Sequence, residues 1–399
     1  MKNSDVIVVG AGPVGVLNAL GLARAGVSVT LLDAGPGVVR SPRAMVYHWS
    51  VLEGIERLGL LEAAVQVGFT KQDYAYYVPA TGEKIEMSVG VLEGLVPHAY
   101  NLHMGQHRLA TIALEALERL DNATVRFNTT VTAVTQDDTS VTVTTEDGEQ
   151  LSASWLIGAD GASSFVRKSM GLTFDGITWP EIFVATNVYY DFEKHGYARS
   201  TLQIDPTYGA VIAKIDTEGL WRVTYCEQVG VPEAEMGARI PEWFANLLPG
   251  DDDYQLDAYR PYRMHQRAAS SMRAGRVLLA GDAAHATNPT GGLGLTSGLF
   301  DTFVLYDALA AVVKGLAEES VLDKYAELRR RTFLEIASPR ATANKRMLYH
   351  TSDPAELEGH LTRLRALAAD EAAQRTTFMF TKQLETEPLV QGRELGEQR

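Results

Sequence analysis

Residues 4–33 read "SDVIVVGAGPVGVLNALGLARAGVSVTLLD", and three textures follow one another there. Residues 4–9 are a β-branched run, the mark of a buried strand. Gly10, Gly12 and Gly15 then form G-x-G-x-x-G around Pro13, and residues 16–24 carry helical spacing closed by Gly26. Residues 27–32 make a second strand that ends in Asp33, eighteen residues after Gly15. This is a β-α-β unit, and its parallel strands imply a sheet covered by helices. Each part has a task at a dinucleotide. Gly10 permits the tight turn, Gly12 lets backbone approach a pyrophosphate, Gly15 allows close helix packing, and Asp33 accepts from ribose hydroxyls. The helix N-terminus adds positive potential for the diphosphate. The motif alone does not separate FAD from NAD(P).

Composition narrows the partners. The chain has 399 residues, 46% hydrophobic and 22% charged, which is the range of a folded globular protein. A formal charge of -14 argues against a broad phosphate-backbone surface, so nucleic acid is not expected as a partner. Cys226 is the one cysteine, which rules out an internal disulfide or a cysteine-based metal site and suits a reducing cytoplasm. No metal site is expected, since His265 and His285 have no clustered partners in the sequence. The first ten residues lack the regions of a signal peptide. No uninterrupted run of eighteen apolar residues occurs, so neither export nor a membrane span is expected.

Further along, residues 106–120 have helical spacing and 123–157 alternate, which reads as a β-meander. Residues 182–225, rich in aromatic and β-branched side chains, read as an antiparallel sheet in a separate lobe, with 74–87 as an extra hairpin. After residue 300 the pattern is helical. Two more glycine-containing motifs stand out: "LIGADGASSFVRKSMG" at 156–171 and "GRVLLAGDAAHATNPTGGLGLTSG" at 275–298.

With "GAGPVG", these two motifs resemble, in order and spacing, the three fingerprints of the group A flavoprotein monooxygenases, the FAD-dependent aromatic hydroxylases of the para-hydroxybenzoate hydroxylase type. Residues 42–60 resemble the phenol hydroxylase branch, whose thioredoxin-like C-terminal extension finds no room here. The resemblance implies an α/β fold: a Rossmann-like FAD-binding domain (1–73, 99–180, 263–353), an inserted antiparallel β-sheet substrate lobe (74–98, 181–262) and a helical C-terminal region (354–399). It implies bound FAD, NAD(P)H as a visiting co-substrate, and hydroxylation of an activated aromatic ring by dioxygen through a flavin C4a-hydroperoxide. By the same likeness Gly10, Gly12, Pro13, Gly15 and Asp33 hold the adenosine diphosphate half of FAD, Arg43 and Gln106 contact its diphosphate region, and Asp160 in the middle fingerprint supports both FAD and the visiting pyridine nucleotide. Gly281 and Asp282 take the ribityl chain. Pro289 and the backbone of Gly292, Gly294, Leu295 and Thr296 line the flavin and the substrate. Backbone N–H groups at such a helix start stabilise negative charge on a reduced flavin.

This chain departs from the family pattern at Leu293 and Thr296, where the family's Gln-Gly and Gly-x-Asn side chains are replaced, and at Met45, where phenol hydroxylase has an acid. Candidates for the substrate side come from "LWRVTY", whose alternation puts Arg222 and Thr224 on one strand face and Tyr225 on the other. Arg222 would clamp a carboxylate, and Tyr225 or His48 would relay a phenolic proton. Arg329 to Arg331 read as a solvated helix face. The reaction expected is hydroxylation of a phenol or a hydroxylated N-heteroaromatic such as a hydroxypyridine. The alternative is a flavin reductase or oxidase that inserts no oxygen. A halogenase is disfavoured, because no W-x-W-x-I-P signature occurs. By analogy, the C-terminal helices offer a homodimer surface.

Overall fold

The computed structural model describes residues 4–40 and 44–390. β1 (Ser4–Val9) lies in the middle of an eight-stranded sheet, parallel to β2 (Val29–Leu32) on one side and to the strand Gln150–Gly158 on the other. Ala123–Arg126 extends the sheet in parallel beyond β2, and Val277–Leu279 extends it in parallel beyond Gln150–Gly158. In register, Val9 sits opposite Gly158, and Gly158 opposite Leu279. The three fingerprints therefore leave one sheet edge side by side, at the carboxyl ends of parallel strands where open α/β sheets bind ligands.

The alternation over 123–157 conceals two roles. Ala123–Arg126 joins β2 in parallel, while Val131–Gln136, Val141–Thr145 and Gln150–Gly158 form the meander. Period-two patterning reports a half-buried strand but not its partner.

A second eight-stranded sheet is built around Phe174–Tyr189 and Gln255–Ala269, paired from Phe174 opposite Ala269 to Tyr189 opposite Gln255. These two strands run continuously past residues 181 and 263. The hairpin Asp73–Val78 and Glu83–Ser88 joins this sheet through a parallel pairing with Ser200–Gln203. One face is covered by the helix Glu233–Leu247, whose Met236, Ile240, Trp243, Phe244 and Leu247 pack on Trp221, Val223 and Tyr225. The other face meets Leu348 and Tyr349 of the helix Ser338–Tyr349, and Ala213 and Ile215 on it meet Met45. A small sheet made of Val46–Tyr47, Phe69–Lys71 and Asn101–His103 touches both large ones, with Tyr47 and Leu102 in the main core and His103 bonded to Lys214 of the second sheet.

The helix Leu293–Val313 is long and apolar enough to cross a membrane, but 83% of its most apolar window is buried inside the fold. A helix apolar on all sides suits a core position between other helices. It packs against α1 (Pro13–Arg24) so closely that a Cβ on Gly21 would lie 2.4 Å from the Tyr306 ring.

Candidate active site

The first fingerprint is shaped by contacts that exclude side chains. Gly10 has φ +107°, and a Cβ there would lie 2.4 Å from the Ala159 carbonyl oxygen. A Cβ on Gly15 would lie 1.8 Å from the Gly10 oxygen. Gly12 is different: a Cβ there meets no atom within 4 Å, so its methylene borders open space at the N-terminus of α1. That space, the helix terminus and the adjoining Asp33 fit a nucleotide diphosphate and its ribose. Asp33 Oδ2 accepts from the Ala11 N–H at 2.6 Å and Oδ1 from the Gly35 N–H at 2.7 Å, leaving each oxygen a further lone pair for a ribose hydroxyl.

The third fingerprint packs on the first. A Cβ on Gly281 would strike the Val14 side chain at 2.9 Å, and one on Gly298 would strike Val14 Cγ2 at 2.9 Å and the Gly281 Cα at 3.2 Å. Two elements distant in sequence thus pack directly together, and the exposed Asp282 stands where they meet. Gly281, Gly291 and Gly292 all have positive φ, at +60°, +99° and +70°, which carries the backbone around this junction and into the helix Leu293–Val313. The first N–H groups of a helix have no partner within it, so Leu293, Gly294 and Leu295 turn donors toward this end. A flavin fits here as the charge-accepting end of the same dinucleotide.

Other sequence candidates take defined places. Gln106 opens the helix Gln106–Leu117, and its N–H donates to the Ala44 carbonyl at 3.0 Å. Arg43 lies outside the described residues. Asp160 accepts from Ser164 Oγ at 2.5 Å and from the Val166 N–H at 3.0 Å, so its carboxylate secures the turn into Phe165–Ser169. Arg167 is buried, donates to the Ala283 and Ala162 carbonyls at 2.8 Å each, and stacks on Phe174, tying the second fingerprint to the third. Pro289 accepts from the Gly292 N–H at 3.0 Å in the loop before the helix. The Thr296 hydroxyl donates to the Gly292 carbonyl at 2.9 Å, so that side chain is used within the helix.

His48 reaches the glycine loop directly. Its Nε2 donates to the Gly291 carbonyl at 2.9 Å and lies 3.1 Å from where a Cβ on Gly292 would be. Burial lowers its pKa, and nearby Lys71 lowers it further, although the Gly291 bond opposes this. At neutral pH the ring is therefore neutral with its proton on Nε2, and Nδ1 is the basic atom.

Arg222 and Tyr225 are separated by the sheet between them. Arg222 is buried, with Nε donating to Asn187 Oδ1 at 2.8 Å. It pairs with Ala213, on the face that packs on Met45 and so toward the His48 segment. Burial lowers its pKa to about 10, with neighbouring Tyr262 opposing. Tyr225 corrects the expectation of a catalytic group. It is fully buried under the helix Glu233–Leu247, stacked on Trp243 with centroids 4.4 Å apart. Core burial raises its pKa, which unsuits it to exchange protons with a substrate on the other face.

Two groups of this region escaped sequence reasoning. Lys71 is 3% exposed, donates to the Asp73 carbonyl, and has its pKa lowered to about 7, chiefly by burial. His103 is fully buried, with Nδ1 donating to the Lys214 carbonyl at 2.7 Å, and its pKa is lowered well below the ordinary range by burial and by Lys71. They meet because strands from three parts of the chain form the small sheet, a pairing that no local pattern announces. Arg329 corrects the reading of a solvated basic face. It is fully buried and paired with Asp301 at 2.8 Å, and only Arg331 of the three arginines is exposed.

Comparison with known proteins agrees with this geometry. Residues 3–337 match a family described as "FAD binding domain". The chain is similar to 6-hydroxy-3-succinoylpyridine 3-monooxygenase of Pseudomonas putida (strain DSM 28022 / S16), 44% identical over 385 residues, covering 96% of this chain and 98% of the relative. It is similar to para-nitrophenol 4-monooxygenase of Pseudomonas sp. (strain WBC-3), 44% identical over 386 residues and 95% of each chain. Among solved structures it resembles p-nitrophenol 4-monooxygenase of Pseudomonas putida DLL-E4 with a TM-score of 0.93 at 43% identity, covering 96% of this chain and 99% of that one.

Proposed function

The chain belongs to the group A flavoprotein monooxygenases, the FAD-dependent aromatic hydroxylases, and from that premise we propose that it oxygenates a six-membered aromatic ring para to a ring hydroxyl, at a carbon that already bears an electron-withdrawing substituent. What supports the reading is the chemistry in two relatives' names: 3-oxygenation of a 6-hydroxy-3-succinoylpyridine and 4-oxygenation of para-nitrophenol. Positions 3 and 6 of pyridine, like 1 and 4 of phenol, are para. One oxygen atom of O2 goes to the ring and the other leaves as water, with two electrons from NAD(P)H. A carbon that gains oxygen while carrying a substituent recovers a conjugated ring by losing it. The carbon–substituent bond breaks with its electron pair on the leaving group, both ring hydroxyl protons are lost, and a quinone remains.

Bound FAD supplies the redox chemistry of this reaction. The protein's residues bind and orient. His48, neutral and fixed on the glycine loop, accepts the ring hydroxyl proton at Nδ1 and so raises electron density at the para carbon. Arg222 and the surrounding sheet face receive the electron-withdrawing group, whose negative oxygens suit a buried guanidinium. Phe183, Met264 and Tyr349 on that same face exclude water. The single observation that carries the division of labour is that His48 sits on the cofactor loop while Arg222 sits on the lobe face turned toward it.

The test is turnover of a panel of para-substituted phenols and 6-hydroxypyridines with NADH or NADPH under 18O2. Expected are one labelled oxygen in the product and stoichiometric release of the substituent, as nitrite from 4-nitrophenol. Hydroxylation ortho to the phenol with the substituent retained would sink the para reading. NAD(P)H consumption without label would favour the oxidase alternative. We place the protein in the cytoplasm and assign the helices after residue 353 as its homodimer surface, to be checked by sedimentation.

A further inference from the structure

The turn that carries Asp282 is held from behind by a buried charged network. Asp301, on the helix Leu293–Val313, has no exposed surface and both carboxylate oxygens are committed. Oδ2 accepts from the Gly281 N–H at 3.0 Å and from His285 Nε2 at 2.7 Å, and Oδ1 accepts from Arg329 Nε at 2.8 Å. Burial pushes the Asp301 carboxyl up, but His285 and Arg329 more than offset this and hold it at about 2. Arg329 is equally buried. Its Nη1 donates to the Leu384 carbonyl at 2.5 Å and to Thr386 Oγ1 at 3.0 Å, and its Nη2 to the Ser297 carbonyl at 3.2 Å. One turn earlier on the same helix, the Tyr325 hydroxyl donates to the Leu279 carbonyl at 2.8 Å. His285 lies against Phe333, ring centroids 4.4 Å apart.

A buried carboxylate–guanidinium pair is seldom the most stable filling for its volume, since desolvation of both ions consumes most of their attraction. What such a pair offers is direction, because guanidinium and carboxylate hydrogen bonds have fixed geometry. Here the direction is spent on one peptide group. Tyr325 fixes the Leu279 carbonyl and Asp301 fixes the Gly281 amide, so Ala280, two residues before Asp282, is bracketed from two helices. The far end of the network lies at Leu384 and Thr386, beyond residue 337 where the FAD binding domain match ends. A turn belonging to the domain is thus completed by chain from outside it.

We infer that Asp301 and Arg329 are positioning residues for FAD, and that the segment around Met379–Leu384 together with Thr386 is a latch whose docking on Arg329 sets the Gly281–Asp282 turn. The inference rests on Asp282 and its turn holding the cofactor. It makes cofactor retention depend on a segment that has no part in the cleft itself.

The test uses the full chain as holoenzyme, with Thr386→Val, Thr386→Ser and Asp301→Asn. FAD dissociation constants, the visible flavin bands, hydrogen exchange at the Gly281 amide and the thermal midpoint of the apoprotein are measured. Thr386→Ser keeps the acceptor and is expected to match the wild type. Thr386→Val, of similar size, should weaken FAD roughly fivefold, less than the full value of a hydrogen bond to a charged group because this bond acts on the cofactor only through Arg329 and Asp301. Asp301→Asn should weaken it about tenfold or more, shift the flavin bands and speed exchange at Gly281. If Thr386→Val and Asp301→Asn keep wild-type affinity and spectra, the latch is overturned. It is also overturned if FAD is lost only in step with apoprotein stability, since the residues then merely pack. A wild-type chain that takes up no FAD overturns the cofactor site itself, a distinct result from either.

Discussion

Two glycines three residues apart are expected to fail in opposite ways. A methyl group on Gly12 meets no protein atom, so Gly12→Ala should leave apoprotein stability unchanged while occupying the space in front of α1. FAD affinity should fall about tenfold or more, because the diphosphate can no longer approach the backbone. A methyl on Gly15 would sit 1.8 Å from the Gly10 oxygen, so Gly15→Ala must move main chain. Its apoprotein should lose about 2 kcal/mol of stability. Urea titration of both apoproteins with flavin-fluorescence titration separates the two effects, and equal behaviour would contradict the geometry. The placement of these residues was legible in the sequence because it is local: the strand, turn, helix and terminal acid all lie within thirty residues. Asp33, Gly10 and Gly15 stand where that pattern puts them, whereas Arg222 and Tyr225 were legible only as opposite faces of a strand. Which face looks on the cleft depends on the helix Glu233–Leu247, and strand alternation carries no information about that helix.

Elements decide what a single position means. The helix Ser320–Thr332 carries three consecutive arginines, and its inward stripe runs through Leu322, Tyr325, Ala326 and Arg329 at helical spacing. That stripe was present in the sequence and distinguishes Arg329 from its neighbours, but charge composition masked it. The helix Glu233–Leu247 leads to another expectation. It seals Tyr225 away with a buried hydroxyl that has no hydrogen-bond partner among the described residues. Tyr225→Phe should therefore retain turnover and raise stability by roughly 1 kcal/mol, as removal of an unsatisfied buried polar group does. A large drop in kcat with folding intact would return Tyr225 to the catalytic set. On the opposite face, Arg222→Met should raise KM at least tenfold for rings carrying nitro or carboxylate groups and much less for neutral ones. Equal effects on both classes, measured by steady-state kinetics, would remove it from the substrate wall.

For the molecule as a whole, the seam between the Rossmann-like sheet and the β lobe holds a buried lysine. Lys71 lies in that seam with its pKa brought from 10.5 to about 7 by burial. Its unfolded form therefore holds a proton between pH 7 and 10.5 that the folded form does not, and stability should rise with pH across that window. Lys71→Met removes the linkage. The variant should be more stable at pH 7 by on the order of a few kcal/mol, an advantage that fades as pH approaches 10.5. Urea midpoints at pH 7 and 9.5 check this, and a pH-independent difference would show that Lys71 is not buried as a neutral amine. The contact of Val14 with Gly281 and Gly298 has a consequence for biosynthesis. The nucleotide turn at Gly10–Gly15 leaves the ribosome more than 260 residues ahead of the other jaw at Gly281–Gly298. Until then the nascent chain has nothing to close on FAD, so cofactor capture comes late in synthesis, and the growing chain passes through an apo state that chaperones and proteases can sample.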